Sequence, residues 1–429
     1  MEIETLKKSH LKRNIIIGVI VLAIISAIIL NFTKAKYRVT ESIPLVNGTI
    51  NYSLADLNIM NIYIDGVEAT ELDSTKQYTI DTTKSTCTNK DGSSINNLSI
   101  GYESESRQLT ISPYTTKGTK CTLYFEESVL VRDTLLANYP TQLTRSDFST
   151  TVTNTTTGTI YYEDTSKGRT YYFAGNPTDN WVKFAGYYWR IIRINEDGSL
   201  RLIYQGTTTN SIGKGSQIET STFNNSYNDN MYVGYMYTSN QAHGLGSSST
   251  IKEVLDNWYQ TNIINKGYES KVSIEAGFCG DRTSYSGNGI GTAATDYTVY
   301  NRLIMNKLPI LKCSNNNDLY TISLSSKGNK VLTNPIGLIT ADEVSMAGGV
   351  YGQTNQSYYL YTNTNYWTIS PYLFHSGSAS VSRVDYNGQI SSNYVYNSNG
   401  VRPVINLASD VIISGIGTSD DPYVVIGAK

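Results

Sequence analysis

From Asn14 to Phe32 the chain runs without a charged side chain, carrying Ile15, Ile16, Ile17, Val19, Ile20, Val21, Leu22 and Ile24 onward to Leu30. At about 1.5 Å rise per residue, a helix of this length reaches nearly across a hydrocarbon core of about 30 Å. Residues 1–13, with Lys7, Lys8, Lys12 and Arg13, are basic on balance. Positive charge ahead of a span keeps that side cytoplasmic, so everything after Phe32 is expected outside the cell membrane as a single-pass ectodomain. The competing reading is a cleaved leader ending at Thr33-Lys34-Ala35. The apolar run exceeds the roughly 7–15 residues usual in such a leader, which favours an anchor.

An oxidising exterior fits the cysteines. Cys87 and Cys121 fall in one half of the ectodomain, Cys279 and Cys313 in the other. One pair in each half reads as two structural disulfides. A redox or nucleophilic role would need a C-x-x-C or a nearby His to lower a thiol pKa, and neither is present. Charge excludes another class. With 34 basic and 36 acidic residues the formal net charge is −2, so no large basic field exists to hold nucleic acid. Three His among 429 residues leave a zinc site hard to assemble. Polarity is carried instead by Ser, Thr, Asn and 35 Tyr, against only 8 Phe. The whole reads as an exported β-rich binding protein.

Residues 36–128 read as short alternating strands, among them Ile59–Ile64, Gln108–Ile111 and Cys121–Phe125, punctuated by Asp65-Gly66, Asp91-Gly92 and Lys117-Gly118. That pattern predicts a small β-sandwich of immunoglobulin-like size, acting as a stalk. Residues 129–170 read as a linker, with a short helix over Val129–Asn138 and a Thr-rich run from Ser149 to Gly158. Residues 171–429 predict an α+β domain. Its strands Trp181–Phe184, Tyr188–Ile194 and Leu200–Tyr204 are joined at Asn195-Glu196-Asp197-Gly198. Ile251, Val254, Leu255, Trp258 and Tyr259 recur at helical spacing, with Thr250 and Glu253 as a capping box at the start. Thr340 and Glu343 predict a second, shorter helix ending at Gly348-Gly349. Asn387-Gly388 predicts a hairpin turn, and Val401–Leu407 and Tyr423–Ile426 further strands.

Five segments form an ordered series: FAGYYWRIIRI (184–194), FCGDRT (278–283), PIGLITADEVSMAGG (335–349), YWTISP (366–371) and GVRPVINL (400–407). Together with YRVTESIPLVNGTINY (37–52) and KGTKCTLYF (117–125) they resemble a family of gut-bacterial surface proteins. The resemblance implies a C-type-lectin-like fold for the C-terminal half. That scaffold is shared with retroelement-diversified proteins and with formylglycine-generating enzymes, so fold alone does not choose a function.

The residues weigh against catalysis and metal. His243 and His375 stand in Gly/Ser-rich surroundings without a Ser or Cys elbow beside them. Formylglycine-generating relatives rely on a Cys pair near the C-terminus, whereas this chain has no Cys after Cys313. Asp281-Arg282 is a possible site, more simply read as tying down a loop beside a disulfide. Glu-Pro-Asn, Gln-Pro-Asp and Trp-Asn-Asp triplets of calcium-dependent lectins are missing, and Asp420-Asp421 reads as a solvated turn. No cofactor is expected.

Binding is the stronger reading. Between Tyr366 and Asn399, sparse apolar positions seat strands, and between them stand Tyr372, Phe374, His375, Ser378, Ser380, Ser382, Arg383, Asp385, Tyr386, Ser391, Tyr394, Tyr396 and Asn397. Tyr supplies rigid amphipathic contact area while Ser and Asn adapt their hydrogen bonds. Tyr and Asn share A/T-rich codons with Ile and Lys, so composition alone does not mark a face. Position between two family motifs does. In retroelement-diversified relatives this is also where variable residues cluster. The expected ligand is an extracellular protein or glycan; a passive structural envelope component is the rival reading.

Overall fold

The computed structural model describes residues 41–44, 58–73, 77–103, 108–112, 118–128, 131–165 and 168–428. The basic head and the apolar run 14–32, with the anchor read from it, lie outside the described residues. Among the described residues no helix is long and apolar enough to cross a membrane. The protein is mostly β, and two compact units divide the chain, one ending at Val129 and the other beginning at Leu130.

The first unit has two sheets. One runs Val67–Ala69, Asn58–Ile64, Lys120–Ser128, Gln77–Ile80, with Thr86–Thr88 also on Lys120–Ser128; the other runs Glu41–Pro44, Gln108–Ser112, Ser99–Glu103. Both contribute to one core, with Ile62, Cys87, Leu123 and Phe125 from the first sheet and Ile100, Leu109 and Ile111 from the second. Asn58–Ile64 and Lys120–Ser128 pair in parallel, and Tyr63 stacks on Tyr124 across that pair at 4.7 Å. Asp65 and Gly66 both have positive φ, which is the geometry of a tight hairpin turn. The Cys87–Cys121 disulfide joins directly opposed residues of neighbouring antiparallel strands. It therefore stitches one sheet and does not bridge two.

In the second unit a nine-stranded sheet runs Ile413–Ser414, Tyr423–Val425, Trp181–Phe184, Tyr187–Ile194, Gly168–Tyr172, Thr159–Thr165, Thr141–Leu143. Leu200–Gly206 takes the other edge of Tyr187–Ile194 and in turn pairs with Val404–Leu407. A seven-stranded sheet runs Glu219–Thr222, Ser398–Val401, Tyr366–His375, Thr295–Tyr297, Ser284–Ser286, and Ser378–Val384 and Ile390–Tyr394 extend from Tyr366–His375. One core spans both, including Trp189, Ile191, Leu202, Trp367, Ile369 and Ile405, all fully buried.

Residues 131–165 correct the linker reading. The helix Val131–Leu136 buries Val131 and Leu135, and Ile160 is fully buried in the same core as Trp189. The Thr-rich run has no regular structure, yet Val152 N–H donates to Gly348 O and Asn355 Nδ2 to Val152 O. Its backbone is satisfied by tertiary contacts that composition does not register.

The long helix is Thr250–Asn262, and its N-cap is Ser249, whose side chain accepts from Lys252 N. The N-cap thus lies one residue ahead of the predicted Thr250, whose hydroxyl accepts from Asn225 N, and no capping box forms because Lys252 occupies the position where a Glu would have to accept. Ile251, Leu255 and Tyr259 face the core, each contributing on the order of 2 kcal/mol by burial. The second box forms as read: Thr340 Oγ1 accepts from Glu343 N and Glu343 Oε2 from Thr340 N, opening Ala341–Met346. Arg402 is fully buried, donating to Tyr204 O, Leu360 O and Gln205 Oε1 and covering the Tyr366 ring. Trp367 is fully buried, its Nε1 donating to Ser221 O.

Candidate functional site

Tyr366–His375, Ser378–Val384 and Ile390–Tyr394 form consecutive antiparallel strands. Ser376 and Gly377 turn the first corner with positive φ, as a two-residue hairpin requires. Gly388 turns the second at φ 83°, and a Cβ there would run into the Asn355 carbonyl, so only glycine fits. Pro371 lacks an N–H, and the ladder slips on both sides of it.

Simple alternation would put every second residue of these strands toward solvent. It does not hold. Ala379 to Ser382 are all buried, and both the turn Asn230–Val233 and the helix Ala341–Met346 pack against the Ser378–Val384 strand. Phe374, Ser380 and Ser382, expected on the binding face, are interior: Phe374 belongs to the core and Ser380 Oγ donates to Leu373 O. Tyr372 is interior as well. Its ring stacks on Tyr351, their hydroxyls 2.9 Å apart, and meets Tyr300 edge-on; burial, with the Tyr351 hydrogen bond, pushes its phenol well above the ordinary value. Asp385 is buried, paired 2.6 Å from Arg383 Nε and accepting from Gln389 Nε2, so both charges serve the turn.

What remains open is a smaller set in three places. Tyr394 and Tyr396 are 43% and 40% exposed and their rings stack nearly parallel at 5.6 Å. Asn397 Nδ2 donates to Asn393 Oδ1 beside them, while Ser378 and Ser391 are half-buried. Tyr386 is exposed on the Asp385–Gly388 turn, at the far end of the Ile390–Tyr394 strand. Exposed His375 ends its strand with Nε2 2.9 Å from Asp296 Oδ1.

One residue escaped the sequence reading. Tyr227, 44% exposed, brings its ring 4.8 Å from Tyr396, and its backbone carbonyl accepts from Ala379 N. Its flanks, Asn224-Asn225-Ser226 and Asn228-Asp229, carry the same Asn/Ser/Tyr vocabulary as 386–399. That was the available signal; nothing local says that the two segments meet. Tyr227, Tyr394 and Tyr396 make a continuous aromatic ridge edged by amides. Such a surface presents flat apolar faces and hydrogen-bonding rims to a ligand at little cost in side-chain entropy.

The two described imidazoles do not activate a nucleophile. Ser286 Oγ donates to Asp296 Oδ2, so in the Ser286–Asp296–His375 chain the hydroxyl proton points to the carboxylate and not to the ring. His243 Nδ1 lies 2.8 Å from Asp318 Oδ2, and buried Asp318 also accepts from Arg282 N and Nε. Arg282 further donates to Met236 O and Gly244 O, which makes it a lock on these loops. Asp281 faces elsewhere, to Arg302 and Ser314. Among the described residues no hydroxyl or thiol is hydrogen-bonded to either imidazole, and no group of three or more His, Cys, Asp or Glu is placed to hold a metal ion. Asp420 and Asp421 lie in an exposed turn closed by Asp421 N donating to Thr418 Oγ1. Cys279 and Cys313 form the second disulfide.

Residues 340–409 match one family profile. It is described as a domain of unknown function, DUF6273. The matched stretch opens at the Thr340 cap and includes Trp367, the three hairpin strands and Arg402. No curated protein and no solved structure matches the chain.

Proposed function

We propose that this is a surface-anchored ligand-binding protein: the apolar run 14–32 holds it in the membrane, the first unit is an immunoglobulin-like spacer, and the second is a C-type-lectin-like receptor or adhesin domain. The observation that carries the reading is the ridge of Tyr227, Tyr394 and Tyr396, drawn from two segments far apart in sequence and left exposed in a unit that buries most of its other aromatics. The ordered resemblance to gut-bacterial surface proteins supports it. Diversification of residues 366–399 by a retroelement belongs to the same proposal. Of the residues first singled out, Tyr386, Ser391, Tyr394, Tyr396, Asn397, His375 and Ser378 stay available to a ligand.

The ectodomain 36–429 screened on an oligosaccharide array and on a displayed peptide library tests this. A saturable ligand is expected, with binding lost in the Tyr227→Ala/Tyr394→Ala/Tyr396→Ala protein at unchanged thermal midpoint. Saturable binding that survives in the folded triple variant removes the site from this ridge. A wild-type ectodomain with no saturable ligand in either screen favours a passive structural component of the envelope.

A further inference from the structure

We infer that the second unit also carries an anion-binding pocket, separate from the tyrosine ridge, that takes a small ligand through a carboxylate, phosphate or sulfate group. The pocket has a volume of about 550 Å³, which is small-molecule size, and no aromatic ring lines it. Stacking is therefore not its mode of recognition; charge and hydrogen bonding are.

The lining holds six acidic and five basic residues, so the choice of ligand rests on which of them are already engaged. Each carboxylate accepts at least one hydrogen bond: at Glu196 from Thr165 Oγ1, and at Asp197 from Ser199 N and Oγ. Glu343 faces Arg193 and Arg201 and accepts from Thr340 N. Asp342 accepts from Arg302 Nε and Nη2 and from Ile310 N, and Asp281 from Arg302 Nη1, Ser314 Oγ and Thr298 Oγ1. Nearer the rim, Glu275 accepts from Ser326 N and Oγ. Arg201 and Arg302 are likewise used at all three nitrogens.

The unspent groups are donors. Arg193 donates only through Nε, to Glu343; among the described residues its two terminal nitrogens meet no acceptor, although its side chain is only 12% exposed. Lys312 stands exposed on the rim without an ion-pair partner among the described residues, and Lys327 Nζ reaches Asp197 only at 3.7 Å. A guanidinium whose planar fork is free and largely withdrawn from water matches two oxygens of one anion.

The backbone is irregular at two positions that carry arginines of the lining. The ladder slips between Ile191 and Arg193, which leaves Ile192 buried and turns Arg193 to the pocket. Arg302 stands on the π-helical turn Asn301–Asn306. The Cys279–Cys313 disulfide ties the segment that carries Lys312 and Ser314 to the Gly277–Cys279 stretch of the lining.

The test is calorimetric titration of the full-length chain with acetate and succinate in one arm and phosphate and sulfate in the other, at constant ionic strength. Variants are Arg193→Lys, which keeps a cation beside Glu343 and removes the fork, and Lys312→Glu, on an exposed side chain outside the core. Saturable binding in the carboxylate arm assigns a carboxylate ligand, and in the other arm a phosphate or sulfate ester. In either case Arg193→Lys is expected to weaken binding at least about tenfold, and Lys312→Glu several-fold. The Tyr394→Ala/Tyr396→Ala protein should bind these anions unchanged. No saturable binding in either arm overturns the inference, as does binding that both variants retain.

Discussion

Replacing Glu343 by Gln isolates one charge in the interior of the second unit. The carboxylate is 2% exposed, with Arg193 Nε at 3.0 Å and Arg201 Nε at 2.5 Å from the same oxygen. Burial alone would raise its pKa; Arg201 and Arg193 overcome that and hold it below the ordinary carboxylate value. Gln keeps an oxygen for Thr340 N, so the cap, worth about 1 kcal/mol, is largely preserved. What is lost is the counter-charge. Arg193 can turn to water in the pocket, but Arg201 is 1% exposed and would be left with the carbonyls of Gly277 and Leu338 and the face of the Phe278 ring. Stranding a buried guanidinium costs about 3–5 kcal/mol. For a unit of this size that is roughly 5–8 °C in thermal midpoint by calorimetry.

The sign of the pH dependence is fixed too. A carboxylate whose folded pKa is depressed stabilises fully above its unfolded value of about 4.3, and that stability fades as pH falls through the lower folded value. The gap between wild type and Glu343→Gln should be full at pH 7 and narrow below pH of about 4. A midpoint within about 2 °C of wild type at pH 7 would refute the claim that the Arg193–Glu343–Arg201 cluster holds this unit together.

Trp367→Ala should cost about 3–5 kcal/mol in denaturant unfolding, while Tyr394→Ala and Tyr396→Ala stay within about 0.5 kcal/mol, separating core from ridge. Gly388→Ala, which combines positive φ with a clash against Asn355 O, should lower stability by about 1–3 kcal/mol in the same assay. Cys279→Ser with Cys313→Ser opens a loop with a sequence separation of 34 and should cost about 3–4 kcal/mol on the chain-entropy estimate. Calorimetry under reducing and non-reducing conditions should show wild type converging on the double variant.

Much of the fold was legible because it is written locally. The 181–204 strands, the Thr340 cap, the Asn387-Gly388 turn and the pairing of cysteines by halves depend on near neighbours. Features that depend on distant partners were not. The Thr-rich run looks like linker because its partners, Gly348 and Asn355, lie some two hundred residues later. Ser380 and Ser382 read as surface residues because small hydroxyls tolerate either environment, and two elements cover their strand. Tyr227 joined the ridge only through the register of Ala379 against its carbonyl. Arg193, Arg302 and Glu343 gave no sign of convergence: they stand far apart in sequence and are brought together by a slipped ladder, a π turn and a helix cap.

The parallel pairing of Asn58–Ile64 with Lys120–Ser128 has a mechanical meaning for a tethered spacer. These two strands run in the same direction, one early in the first unit and one closing it. Tension that reaches the start of one and the end of the other acts along the strands, so their hydrogen bonds are loaded together in shear and not unzipped one by one. The Cys87–Cys121 bond rivets the same closing strand to a third neighbour. A spacer built this way yields late under flow or pulling.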